Sequence, residues 1–187
     1  MKSIKTYIYE SYKRFYIDEL LERSLSKKIG KGVLPNGIKI IKNSEVYKKS
    51  KYGSPNDYSP IGIAHIIKYI QSNGDRLWDK AATAGDSSYI RNQFGNLIEG
   101  PKLKEVSFNY ENQAFTDKGE EASFETGNYF GRLPYDMTLN FEEQKINIKY
   151  DIINVRRGKD FITIKGETDT YSITDFIVYI NEKLKNK

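Results

Sequence analysis

The sequence predicts an α+β fold. An N-terminal amphipathic helix and an irregular basic arm come first, then a helical middle, then an antiparallel β-sheet with a C-terminal helix packed on it. Three observations predict this. Apolar residues recur at three- to four-residue spacing up to about residue 98, the period of a helix. From residue 102 they recur at every second position, the period of a strand. From Ile173 the helical spacing returns. Helices and strands segregated along the chain in this way, rather than alternating, belong to the α+β class. The organisation expected is a basic N-terminal helix and extended arm over 1–58 and an α+β body over 59–187. Within the body, helices fall in 60–98, the sheet in 103–171 and the closing helix in 173–185.

Residues 3–28 read as helix. Ile4, Tyr7, Ile8, Tyr12 and Phe15 share one face, and Ile17, Leu20, Leu21 and Leu25 form a second set rotated from the first. A helix with two apolar faces needs a partner, from its own body or from another chain. Residues 29–60 are punctuated by Gly30, Gly32, Pro35-Asn36-Gly37, Gly53, Pro55 and Pro60. One short strand around Ile38, Ile40 and Ile41 fits there. Pro60 then opens a helix behind Ser59 as cap, with Ile63, Ile66, Ile67 and Ile70 on one face. The Asn73-Gly74 pair is expected to stop it, with a turn over 75–84 that carries Leu77 and Trp78 as core. Ser87 or Ser88 caps the next helix, with Tyr89, Ile90, Phe94, Leu97 and Ile98, and Gly100-Pro101 ends it.

The strands follow by alternation: Val106, Phe108, Tyr110; Leu133 through Phe141; Ile146, Ile148, Tyr150, Ile152; then Phe161 to Ile164 behind the turn signal Arg157-Gly158-Lys159. A phase slip at Ile152-Ile153 predicts a bulge. Clean alternation means one buried and one wet face, which is antiparallel behaviour. Ser172 is the expected cap of the closing helix, with Asp175 completing a weak capping box and Ile173, Phe176, Ile177, Ile180 and Leu184 as the apolar stripe.

Composition excludes several function classes. There is no cysteine, which removes disulfides, thiolate metal sites and cysteine nucleophiles. The single histidine, His65, removes multi-histidine zinc sites, and it falls off its helix's apolar stripe, at the surface or boundary. No apolar run approaches the ~18 residues of a membrane span. Lys2 and Lys5 are followed by no apolar core of a secretory signal. Aromatic residues at 13%, with 15 Tyr and 9 Phe, argue against disorder.

Charge is unevenly placed. Residues 1–53 hold 13 Lys/Arg against 5 Asp/Glu, a net of +8, and the remainder carries a net of −3. Residues 105–143 alone carry nine acids against Lys118 and Arg132. A basic arm of this kind serves an acidic protein surface, nucleic acid or solubility.

The search for catalytic chemistry is empty. No phosphate-binding glycine loop, nucleophile elbow or zinc-binding helix motif is present. Glu120-Glu121 and Glu142-Glu143 are adjacent pairs, so on strands they would point apart, and they read as turn charges. Asp136, Asp151, Glu167 and Asp169 lack the alternating ligand spacing of a calcium loop. No catalytic residue, metal or cofactor is therefore expected. Tyrosines interleaved with lysines in 1–53 fit a single-strand nucleic-acid platform loosely. They fit a protein-docking arm better, because tyrosine anchors interfaces at low entropic cost.

The opening Met1-Lys-Ser-Ile-Lys-Thr-Tyr-Ile-Tyr-Glu10-Ser11 resembles the capsid-targeting segments of internal head proteins in T-even-type phages. The matching residues are Lys2, Tyr7, Ile8, Glu10 and Ser11. The same opening is similar to those of proteins from crAss-like phages. The resemblance covers at most the first 28 residues. It implies cleavage by a prohead protease after Glu10, leaving Ser11 as the new N-terminus.

The expectation is a virion-associated structural or packaged protein of the head or portal region, not an enzyme, assembled in the host bacterial cytoplasm. Its docking residues are Ile4, Tyr7, Ile8, Tyr12 and Phe15, flanked by Lys5, Lys13 and Arg14. Its partners are other virion proteins: shell, portal or neck subunits. The alternative is a small DNA-associated or anti-defence protein delivered with phage DNA, contacting nucleic acid through residues 1–53. An enzyme with a carboxylate or tyrosine site stands third, and would need a deep pocket gathering two carboxylates.

Overall fold

The computed structural model describes residues 4–5, 37–42, 60–83, 87–110, 132–153 and 161–186. Their element order is β1 (Lys39–Lys42), α1 (Pro60–Thr83), α2 (Ser87–Glu99), β2 (Leu103–Tyr110), β3 (Arg132–Phe141), β4 (Lys145–Ile153), β5 (Phe161–Ile164), β6 (Thr170–Tyr171) and α3 (Ile173–Lys185). The fold is α+β. Strands β2 to β6 form an antiparallel meander in sequence order.

The first strand extends this sheet from within the basic segment. β1 pairs with β2 in parallel, with Lys39 opposite Glu105 and Lys42 opposite Phe108. Parallel neighbours need a long crossover, and α1 and α2 together supply it. Ile38, just before β1, is buried. Residues 39–42 are therefore a strand of this sheet, although the sequence groups them with the arm.

The three helices form one layer on one face of the sheet. α1 packs on α2 and β2, α2 on α3, and α3 on β5 and β6. Val106, Phe108, Met137, Leu139, Ile148, Tyr150 and Ile162 point into that layer. They meet Ile63, Ile66, Ile67, Phe94, Leu97, Phe176, Ile177 and Ile180. Tyr150 is fully buried, stacked on Tyr135 at 5.2 Å and tilted against Phe176 at 5.8 Å.

The opposite face is polar and carries pairs across the strands. Thr138 donates to Asn147 at 2.9 Å, and the Asn140 amide donates to Glu105 at 2.9 Å. Lys149 lies 3.7 Å from Asp136, and Lys39 lies 4.0 Å from Glu105.

Several sequence expectations are corrected. The Asn73-Gly74 pair kinks α1 without ending it. Asn73 leaves helical geometry (φ −127°, ψ 20°), and its side-chain amide donates at 3.0 Å to the Tyr69 carbonyl. That side-chain donor serves a carbonyl at the break, and the helix resumes to bury Leu77. The bulge lies at the other end of the sheet from the one expected. Pairing of Ile152 and Ile153 is regular, whereas the register shifts between Leu103 and Glu105. The extra residue, Lys104, lets Leu103 and Val106 both face the core despite their odd spacing. His65 is buried at 8% exposure, because the first turns of α1 are covered all round from Gly62 to Ile67. α2 starts at Ser87 itself, so Ser87 and Ser88 occupy its first turn instead of its cap. The Arg157-Gly158-Lys159 turn and the Glu120-Glu121 pair lie outside the described residues.

The closing helix starts as its sequence predicts. Ser172 is extended (φ −71°, ψ 168°), and its hydroxyl accepts from the Asp175 amide. Two polar side chains then fix the helix layer. Gln71 donates to the Leu97 and Pro101 carbonyls at 3.0 Å each and accepts from the Leu103 amide at 3.4 Å. Buried Asn181 accepts from the Leu97 amide at 2.8 Å, joining α3 to α2.

Candidate functional site

The strip expected to dock begins at residues that the structure describes as helix. Ile4 and Lys5 are helical and exposed, Ile4 at 80%. Among the side chains described, Ile4 is the large apolar one that stands exposed. Burying a side chain of this size is worth about 1.5–3 kcal/mol. Tyr7, Ile8, Tyr12, Phe15, Lys13 and Arg14, and the Glu10-Ser11 step, lie outside the described residues.

A second feature sits at the far edge of the sheet. The turn after β5, the edge strand β6 and the outward face of α3 enclose an open groove of about 510 Å³. The turn is tight: Glu167 donates its amide to the Ile164 carbonyl at 3.0 Å, and Gly166 holds φ +87°, which disfavours any side chain. The chain then enters β6, and Ser172 redirects it into α3.

The floor of the groove is Tyr171, Val178 and Tyr179. The two tyrosine rings meet edge-on at 6.1 Å. Among the described residues, its rim carries Glu167, Asp169, Asp175 and Glu182 together with the cation Lys183. That cation stands 4.8 Å over the Tyr179 ring, so this ring face already receives an ammonium. The Tyr171 hydroxyl donates to Glu167, and the neighbouring carboxylate, with smaller effects of burial, pushes the phenol well above its ordinary range.

The sequence reading missed this groove. Its helical part lies at 175, 178, 179, 182 and 183, a three- to four-residue spacing opposite the buried stripe, which reads as an ordinary solvated face. The signal was the pairing of that face with the acidic run at 167–169 across the Ser172 corner.

Among the described residues no group of three or more His, Asp or Glu is placed to hold a metal ion. Asp136 is engaged with Lys149. Glu142 sits in the β3–β4 turn, 3.0 Å from Lys104 and accepting from the Lys102 amide at 3.3 Å. No described helix is long and apolar enough to cross a membrane. No protein-family model matches the chain, and neither a curated protein nor a solved structure matches it significantly.

Proposed function

We propose that this chain is a virion-associated structural or packaged protein of a tailed phage, and that it docks on other virion subunits through its N-terminal strip. The observation that carries the reading is Ile4, 80% exposed beside exposed Lys5, at the start of an apolar and basic helical pattern. An amphipathic helix of this kind seats in a groove through anchors at i, i+3 and i+4, here Ile4, Tyr7 and Ile8. Its lysines steer it toward an acidic lining. The resemblance of the first eleven residues to capsid-targeting segments supports a head or portal location. In this reading the strip is retained and the chain has no catalytic role.

Mass spectrometry of purified particles tests the proposal. Recovery of body peptides together with the tryptic peptide Thr6–Lys13, which spans the Glu10-Ser11 bond, is the expected result. Particles that contain no peptide of this chain overturn it.

A further inference from the structure

We propose that the kink of α1 is a guarded modification site: folding shields the Asn73-Gly74 pair from spontaneous deamidation, and opening of the helix there converts Asn73 irreversibly. The site lies in the body and is independent of the docking strip.

An asparagine followed by glycine carries its own reactive partner. The Gly74 backbone nitrogen bonds to Cγ of Asn73 and gives up its proton, the Cγ–Nδ2 bond breaks, and the side-chain amide leaves with that proton as ammonia. Water then opens the cyclic imide at one of its two carbonyls, giving aspartate or isoaspartate. Water is the co-reactant, and nothing is oxidised or reduced. Glycine leaves the attacking nitrogen uncovered because it has no Cβ. The chain has two such pairs, Asn36-Gly37 and Asn73-Gly74.

The fold holds the second pair out of the reacting geometry. At ψ 20° the Gly74 nitrogen lies across the Cα–C bond from the Asn73 side chain, so ring closure needs a large turn of ψ. Ile70 and Leu77, on either side of the kink, are both buried, and that turn would unseat one of them. The side-chain amide is also drawn the other way, back to the Tyr69 carbonyl at 3.0 Å. Gly74 itself is buried. The guard is local. Asn and Gly are both poor helix formers, so α1 opens more readily here than an uninterrupted helix would. Once converted, the site does not return. A carboxylate at position 73 cannot donate to the Tyr69 carbonyl, and it adds a charge close to exposed Asp75. In the iso form a methylene also enters the main chain ahead of Leu77 and shifts that residue against the core.

Incubating the full-length chain at mildly alkaline pH, in buffer and in denaturing guanidinium, tests this. The tryptic peptides Tyr69–Arg76 and Gly32–Lys39 follow the two pairs by mass spectrometry. In guanidinium both convert at similar rates, with Asn36 as the internal chemical control. In buffer Asn73 converts at least about tenfold more slowly than in guanidinium, because only the open fraction reacts. Asn73 converting as fast in buffer as in guanidinium, or staying intact in guanidinium while Asn36 converts, overturns the proposal. The Asn73→Asp variant carries the charge of the product and is expected to unfold at a lower guanidinium midpoint. A midpoint equal to that of the wild type overturns the claim that conversion cannot be accommodated at the kink.

Discussion

At the scale of single residues, the body is held by polar groups that serve more than one element. Gln71 satisfies two carbonyls and one amide where α2 gives way to β2. Gln71→Ala is expected to cost about 2–3 kcal/mol in denaturant unfolding, since it leaves half-buried backbone groups without partners. Gln71→Glu should be nearly as harmful, because a carboxylate cannot donate to the Leu97 and Pro101 carbonyls. A Gln71→Glu variant of wild-type stability would contradict this. Glu142 gives a pH prediction. Its bond to Lys104, then the Lys102 amide, holds its carboxyl below the ordinary value of 4.5. A group depressed on folding contributes stability above its unfolded value and loses it as pH falls through the folded one. Glu142→Gln should therefore flatten the decline of stability in urea melts below pH 4.5. The effect is small, because the carboxylate is exposed to solvent. None of these roles is legible in the sequence. Gln71 and Asn181 act on backbone groups 26 to 84 residues distant. His65 misled because one stripe cannot reveal a helix covered on all sides.

At the scale of elements, the periodicities carried most of the architecture. The closing helix began at Ser172 and buried Ile173, Phe176, Ile177, Ile180 and Leu184, as its pattern dictates. Phe176 is fully buried against Tyr150, and its ring stacks with that of Tyr179 at 6.4 Å. Phe176→Ala should cost about 3–5 kcal/mol in equilibrium unfolding, the range for removing a buried phenyl ring. A loss below about 1 kcal/mol would mean that α3 does not close the core. Where local pattern failed, a longer-range demand decided. Asn73-Gly74 has the signature of a helix end, but Leu77 must reach the core, so the helix kinks and continues. The bulge at Lys104 was written in the odd spacing of Leu103 and Val106, two core residues three apart in a strand. The parallel seating of β1 was not written locally at all. It follows from the two-helix crossover that returns the chain to β2.

At the scale of the whole molecule, charge is divided between a segment of net +8 and a body of net −3. The acidic groove beside β6 lies within that body. The division was legible in the sequence. The groove was not, because its acids come from a turn and a helix face that meet only at the Ser172 corner. The account's central claim is that the apolar and basic strip beginning at Ile4 mates with another polypeptide. The most direct measurement places a photo-crosslinking amino acid at position 4 of the full-length chain during phage growth and identifies the products by mass spectrometry. Crosslinks from position 4 to a second polypeptide are the predicted result. Crosslinks confined to the same polypeptide's own body would contradict it.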